Sequence, residues 1–184
     1  MTFKTLFGLL ACTGLRISEA LRLRPQDFDP ANQTLLIEPS KFSPRRKLPL
    51  HPATSKALSQ YDQLCQQRLG SSGRPALFLN HYGQPLSRDR AEGVFRQLRT
   101  QLGWNQTPLP RLHDLRHTFA VNCLVRWNRE PAGIGAKILA LCAYLGHRRV
   151  TDTYWYLSAI PELLAASNAR FEQQATPIQK DRRP

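Results

Sequence analysis

Residues that could surround and attack one phosphate group are spread over five segments of this sequence: TGLRISEAL, SKFSPRRKLPL, LHDLRHTFA, LGHRRV and TDTYWYLSA. Their candidate catalytic residues are Arg16, Lys41, His113, Arg116, His147 and Tyr156. Guanidiniums, an ammonium and imidazoles can bind phosphate oxygens, and a phenol beside them can attack the phosphorus. No metal-ligand spacing accompanies them in the sequence. The set predicts phosphoryl transfer without a metal or other cofactor, namely DNA strand cleavage through a covalent phosphotyrosine.

Arg16 and Arg116 are predicted to clamp the phosphate. Cleavage adds negative charge to the non-bridging oxygens, and planar guanidiniums stay charged at any working pH and donate two hydrogen bonds each. His113 lies three residues before Arg116, so both can face one side across a helix start. It would hydrogen-bond the phosphate or shuttle a proton. His117 is interpreted as structural, and Glu19 as a salt-bridge partner that holds the basic cluster.

Tyr156 is the predicted nucleophile, and Tyr154 is its competitor. A free phenol has a pKa of about 10, so nearby cations that favour the phenolate would raise the attacking fraction. The two tyrosines are two residues apart on a predicted helix and therefore lie on opposite faces. His147 follows a helix-ending glycine; it could donate to a non-bridging oxygen, orient the tyrosine, or simply cap the helix.

Composition and charge favour one globular domain that binds a polyanion. The chain has 184 residues, of which 41% are hydrophobic, and this suits a single compact core. A formal net charge of +13 makes nucleic acid the first expected partner, the alternative being a merely soluble basic surface. No segment has the apolar length of a membrane span. The four cysteines form no CxxC pair, which predicts reduced thiols and a cytoplasmic location.

Apolar periodicity and turn signals predict a mainly α domain with a small antiparallel β-sheet, an α+β fold. Helices are predicted over 3–12, from Ser18, over 52–69, from Ser87 to Gly103, over 115–127 and 135–144, from Thr151, and over 161–171. Strands over 34–37 and 47–50 flank a basic turn, and residues 76–79 are a further candidate strand. Residues 172–184 are polar and charged, which predicts a disordered tail.

The five segments resemble the catalytic domain of the tyrosine recombinases, the phage-integrase family. The similarity runs from about Thr5 to Ala165, and the order Arg, Lys, His-x-x-Arg, His, Tyr is the family's order. The interval of nine residues from His147 to Tyr156 also follows the family pattern and selects Tyr156 over Tyr154.

The resemblance gives the basic turn its expected roles. Lys41 stands eight residues before Pro49, as the family's lysine does, and is therefore the expected general acid for the leaving 5′ oxygen. The family's usual Gly-Lys-Gly is here Ser-Lys-Phe. Arg45, Arg46 and Lys47 crowd the same turn and are expected to make non-specific contacts with DNA phosphates.

The resemblance implies a site-specific DNA recombinase whose catalytic domain covers residues 1–171. It implies a 3′-phosphotyrosyl link to double-stranded DNA, and a homotetramer on DNA assembled through the predicted C-terminal helix with Leu163, Leu164 and Phe171. Family members carry a helical DNA-binding domain before this one, and that N-terminal domain is expected to be absent here. The alternatives are a type IB topoisomerase and a non-catalytic DNA-binding remnant.

Overall fold

The computed structural model of this chain describes residues 1–40, 44–70, 73–128, 130, 135–149 and 151–158. Within helices it describes the backbone but not the side chains of 135, 136, 154, 155, 157 and 158. Lys41, the predicted helix over 161–171 and the predicted tail over 172–184 lie outside the described residues.

The first part of the chain packs helices around a small sheet. In chain order the elements are α1 (Thr2–Thr13), α2 (Ile17–Ala20), β1 (Phe28–Asp29), β2 (Thr34–Ile37), β3 (Arg46–Pro49), α3 (Pro52–Leu69) and α4 (Arg88–Gln101). The strands are antiparallel in the order β1-β2-β3, and Leu35 of β2 pairs with Leu48 of β3. Alternation puts Leu35, Ile37 and Leu48 in the core, where they join leucines of α1 and α3.

The second part is a set of three helices with its own apolar core. It consists of α5 (Asp114–Asn128), α6 (Gly135–Leu145) and α7 (Thr151–Ser158). Leu124 of α5, Leu141 of α6 and Tyr156 of α7 belong to the same buried cluster. Helix α5 also packs against α1, so the two cores meet along a seam between α1 and α5.

The predicted fold class is confirmed, and most element boundaries lie within a residue or two of the prediction. β2 and α3 have the predicted bounds, and the Ser87 hydroxyl accepts the Arg90 N–H as a helix N-cap. Two details differ. α2 begins directly after Arg16 rather than at Ser18, because Glu19 accepts the Arg16 N–H. Residues 76–79 form no strand beyond a single bridge from Leu79.

No helix among the described residues could cross a membrane.

Gly14 allows the two cores to pack closely at the seam between α1 and α5. It ends α1 with φ of 62°, and its N–H donates to the Leu10 carbonyl. A Cβ built at this position would lie 2.6 Å from a ring carbon of Phe119 and 3.0 Å from a methyl group of Leu145. Only glycine therefore allows α1 to end this close to α5 and α6.

Gly14→Ala should lower the free energy of unfolding by about 2–4 kcal/mol, since a left-handed alanine is strained and its methyl group overpacks the seam. Urea unfolding followed by circular dichroism measures this. Gly8→Ala is the matched control: the Cβ meets nothing within 4 Å inside α1, so stability should hold or rise by up to about 1 kcal/mol. Equal effects of the two substitutions would contradict the assignment of Gly14 to the seam.

Candidate active site

Arg116 is the most deeply buried cation of the site. It lies in the first turn of α5 and is 2% exposed. Its Nη1 donates to the Gly14 carbonyl at 2.7 Å and its Nη2 to the Leu145 carbonyl at 2.8 Å. Burial lowers the pKa of Arg116 to about 10, with a further contribution from the nearby charge of Arg16. The guanidinium thus remains charged at neutral pH and has a fixed orientation.

Arg16 approaches the same backbone acceptor from the other core. It precedes α2, and its Nη1 lies 3.5 Å from the Leu145 carbonyl oxygen and 3.3 Å from Glu19 Oε1. A quarter of its side chain, 25%, is exposed. The last carbonyl of α6 therefore brings Arg16 and Arg116 together, and it suits them because a helix C-terminus carries partial negative charge.

Glu19 carries the negative charge of the cluster and is buried. Its two oxygens accept from Arg46 Nη1 at 3.0 Å and Nη2 at 3.1 Å, and Oε2 also accepts the Arg16 backbone N–H at 3.0 Å. Burial alone would raise the pKa of Glu19, but the hydrogen bonds and charges of Arg46 and Arg16 outweigh it and lower the pKa below its ordinary value. The predicted salt-bridge role of Glu19 is therefore confirmed.

The side chain of Arg46 is largely buried and does not lie on the surface. The sequence assigned it to DNA phosphates together with Arg45 and Lys47, but its side chain is only 9% exposed. Its Nε donates to the Tyr144 carbonyl at 2.8 Å while both Nη atoms hold Glu19. The DNA contact of Arg46 stays a prediction, whereas its burial depends on a carboxylate far away in the sequence and has no local signal.

Tyr156 lies beside two histidine rings. Its ring centroid is 6.2 Å from that of His147, with the planes nearly parallel at 11°, and 5.4 Å from that of His117. Tyr156 is 3% exposed. Because it also contributes to the pKa of Arg116, its phenol lies within electrostatic range of the arginine cluster. The structure thus brings together Tyr156, His147 and Arg116 as the sequence predicted.

His147 is oriented by its neighbours. Helix α6 ends just before Gly146, which has φ of 68°, and the His147 N–H then donates to the Cys142 carbonyl. The ring Nδ1 lies 2.8 Å from Oγ1 of the buried Thr153. Burial, together with the nearby charges of Arg116 and Arg16, lowers the pKa of His147 to about 4. The imidazole is therefore neutral at pH 7.

His117 is the residue that the sequence interpretation underrated. The centroid of its ring lies 4.6 Å from that of His113, edge to face, and 5.4 Å from that of Tyr156. Burial lowers the pKa of both His113 and His117. His113 directly precedes α5 and His117 lies in its first turn, four residues later; this spacing puts both on one side and could have placed His117 in the site.

The other predicted site residues are more scattered. Lys41 lies outside the described residues. Arg45 is exposed and pairs with Glu38 at 3.2 Å, and Lys47 is exposed on β3. The Tyr154 side chain is not among those described. Within the described part of the chain, no group of three or more histidine, cysteine or acidic residues could hold a metal ion.

A basic groove adjoins the site at His113. It has a volume of about 510 Å³ and lies between α4 and the segment before α5. Its lining holds four arginines together with His113 and two carboxylates: Arg88, Arg96, Arg99, Arg111, Asp89 and Glu92. Arg99 donates to the Pro110 carbonyl and Arg111 pairs with Asp114, so part of the lining is held in place by the protein. No motif in the sequence indicates this groove.

The chain belongs to the phage integrase family, whose model matches residues 1–162. Among curated proteins, it is 37% identical over 170 residues to a protein of Sinorhizobium fredii named as an integrase/recombinase, y4rE, covering 92% of this chain and 55% of that one. It is 32% identical over 179 residues to the tyrosine recombinase XerC of Roseiflexus sp. strain RS-1, covering 95% and 53%. The chain thus spans about half the length of these relatives.

Solved structures share the fold. The XerA recombinase matches with a TM-score of 0.70 at 23% identity, over 92% of this chain and 56% of that one. The Tn1549 transposon integrase, solved in complex with transposon right end DNA, matches with a TM-score of 0.70 at 24% identity, over 94% and 58%. The tyrosine recombinase catalytic-domain fold predicted from the sequence is therefore confirmed.

The partly buried, neutral His147 should make the fold less stable in mild acid. Its folded-state pKa of about 4 lies below the ordinary 6.5, so the unfolded chain binds the proton first as pH falls. The stabilisation is complete above about pH 6.5 and is lost as pH falls towards 4. We expect His147→Gln to reduce the slope of unfolding free energy against pH, measured by urea titrations from pH 4 to 7.5.

Part of that slope should remain in His147→Gln, because the pKa values of His113 and His117 are lowered as well. His81→Gln, an exposed histidine outside the site, is the matched control. An unchanged slope in His147→Gln would show that this histidine is not held neutral by the fold.

Proposed function

We propose that residues 1–171 form the catalytic domain of a site-specific DNA recombinase in which Tyr156 attacks the scissile phosphate. One observation carries this proposal: Arg16 and Arg116 converge on the Leu145 carbonyl from two different cores, and the phenol of Tyr156 lies within electrostatic range of Arg116. A phosphate needs cations on more than one side, and this arrangement supplies them around a phenol. Membership in the phage integrase family supports the same reaction.

In the proposed reaction, a P–O bond to Tyr156 forms as the bond to the 5′ oxygen breaks, and the phenol proton passes to the neutral imidazole of His113. Arg16 and Arg116 take up the charge that grows on the non-bridging oxygens. Because backbone carbonyls already hold both guanidiniums in place, they need little reorganisation when that charge develops. Lys41 gives its proton to the leaving 5′ oxygen, and a 5′ hydroxyl of a second strand later reverses the step.

His147 has the role of a neutral hydrogen-bond donor. A neutral imidazole carries one N–H, and when the Thr153 hydroxyl donates to Nδ1 the proton resides on Nε2. That N–H is then free to donate to a non-bridging oxygen. His113, at the edge of the basic groove, contributes a second neutral imidazole near the phosphate.

Double-stranded DNA is the proposed partner, and the groove with Arg88, Arg96 and Arg111 is its proposed path away from the scissile phosphate. Exposed Arg45 and Lys47 would add phosphate contacts at the β2–β3 hairpin. Assembly as a homotetramer through residues 161–171 and a cytoplasmic location belong to the same proposal; all four cysteines are free thiols, which suits a reducing compartment.

The alternatives differ from this proposal in assembly and in chemistry. A type IB topoisomerase would relax supercoiled DNA as a monomer, whereas recombination needs several copies on DNA. A non-catalytic remnant would bind DNA without forming a covalent link. The ordered cluster around Arg116 and Tyr156 favours an active site over a remnant.

Tyr156→Phe removes the nucleophilic oxygen and should abolish covalent adducts with a nicked suicide duplex, while DNA affinity stays within about twofold. Adducts are counted on denaturing gels after addition of the chain to end-labelled DNA. Tyr154→Phe is the matched control, since it removes the same atom two residues away on α7 and should keep adduct formation. The reverse pattern would assign the nucleophile to Tyr154.

Arg116→Lys keeps the positive charge but loses the planar fork that reaches both the Gly14 and Leu145 carbonyls. We expect the rate of adduct formation to fall by about 100- to 1,000-fold, as for loss of a preorganised oxyanion donor. Single-turnover cleavage measures the rate, and Arg126→Lys near the C-terminal end of α5 controls for loss of an arginine elsewhere on the helix. Near-normal cleavage by Arg116→Lys would leave Arg116 with a structural role only.

A further inference from the structure

Arg46 occupies a place in the site that its position in a basic turn does not predict. It is the first residue of β3, the strand that follows the Lys41 segment. Its Nε donates to the Tyr144 carbonyl and its Nη atoms to both oxygens of Glu19. This arginine therefore ties the β2–β3 hairpin to α2 and to the last turn of α6.

Arg46 and Arg16 compete for one carboxylate. Glu19 accepts from Arg46 through two contacts of 3.0 and 3.1 Å, one on each oxygen. The side chain of Arg16 makes a single, longer contact of 3.3 Å with the same group. Bidentate charge-assisted pairs are stronger than single contacts, so Arg46 takes the larger share of the Glu19 charge.

We propose that Arg46 is a positioning residue that neutralises Glu19 and so leaves the Arg16 guanidinium available to the scissile phosphate. The proposal rests on the proposed function for its consequence in DNA cleavage. With Arg46 present, three guanidiniums and one carboxylate give the cluster a net charge of +2. Without it, Glu19 and Arg16 cancel each other, and only Arg116 remains to balance the phosphate.

Burial makes this competition strong. The Glu19 side chain is 1% exposed and that of Arg46 is 9% exposed, so water cannot replace the lost partner. A buried carboxylate deprived of one cation draws the nearest remaining cation towards it. That cation is Arg16, which already contacts Glu19 and has enough exposed surface to move. After loss of Arg46 we therefore expect Arg16 to pair with Glu19 instead of with the phosphate of the substrate.

The test is a double substitution that restores what a single one removes. Arg46→Met should slow adduct formation on the nicked duplex by about 10- to 100-fold, the range for loss of a residue that orients a site ligand. Adding Glu19→Gln should recover most of that loss, since no carboxylate is left to capture Arg16. Arg24→Met is the matched control: it also removes an arginine from an arginine–carboxylate pair, with Asp27, and should leave the rate unchanged.

A second measurement does not depend on cleavage. Nitrogen-15 spectra of arginine side chains, in the Tyr156→Phe protein, follow the binding of inorganic phosphate to Arg16. We expect phosphate to perturb the Arg16 signals with affinity several-fold weaker in Arg46→Met and restored by Glu19→Gln. If this pattern holds but no variant with Tyr156 forms an adduct, the proposed recombinase function fails and the positioning role stands.

The role of Arg46 is overturned if Glu19→Gln brings no recovery in either measurement, because Arg46 then acts on DNA or on the hairpin alone. It is equally overturned if Arg46→Met matches the unsubstituted protein. Should Arg46→Met not fold, Arg46→Lys takes its place, since it keeps a cation beside Glu19. A loss below about fivefold then supports the proposal, and a loss as large as that of Arg116→Lys contradicts it.

Discussion

Positive charge held out of water is the constraint on which this site depends. Arg16, Arg46 and Arg116 lie close together, and such a cluster would repel itself unless its charge were balanced within the protein. The balance comes from the Glu19 carboxylate and from the last carbonyls of α6, at Tyr144 and Leu145. These acceptors satisfy some guanidinium donors and leave the cluster positive overall, which is the condition for attracting a phosphate.

The same contacts join the two cores of the domain. Arg116 reaches from α5 to the Gly14 carbonyl at the end of α1, and Arg16 reaches from the start of α2 to the end of α6. The seam closes because Gly14 has no side chain to hold Phe119 away. The arginines therefore contribute both to the geometry of the proposed site and to the packing of the two cores.

Local signals predicted much of this structure, and non-local ones did not. Pro52 at a first helical position and Gly146 after an apolar run fixed helix ends, because such residues act through their own backbone. The burial of Arg46 depends on Glu19, and no feature near Arg46 in the sequence indicates that partner. The Leu145 carbonyl is harder still to foresee, because every residue has a carbonyl and only the fold selects one. The proximity of His117 to the site could have been predicted, because it follows His113 by four residues.

The carbonyls at the end of α6 make the length of that helix part of the active site. Each added or deleted residue would turn the last carbonyl by about 100° and shift it along the axis by about 1.5 Å. Leu145 would then present its oxygen to neither Arg16 nor Arg116, even if every side chain of the site were unchanged. Over Gly135–Leu145, exchanges of exposed residues such as Leu139 leave this register intact, whereas a single insertion or deletion disrupts it. The length of α6 determines where the Leu145 carbonyl meets Arg16 and Arg116, and the composition of its exposed surface does not.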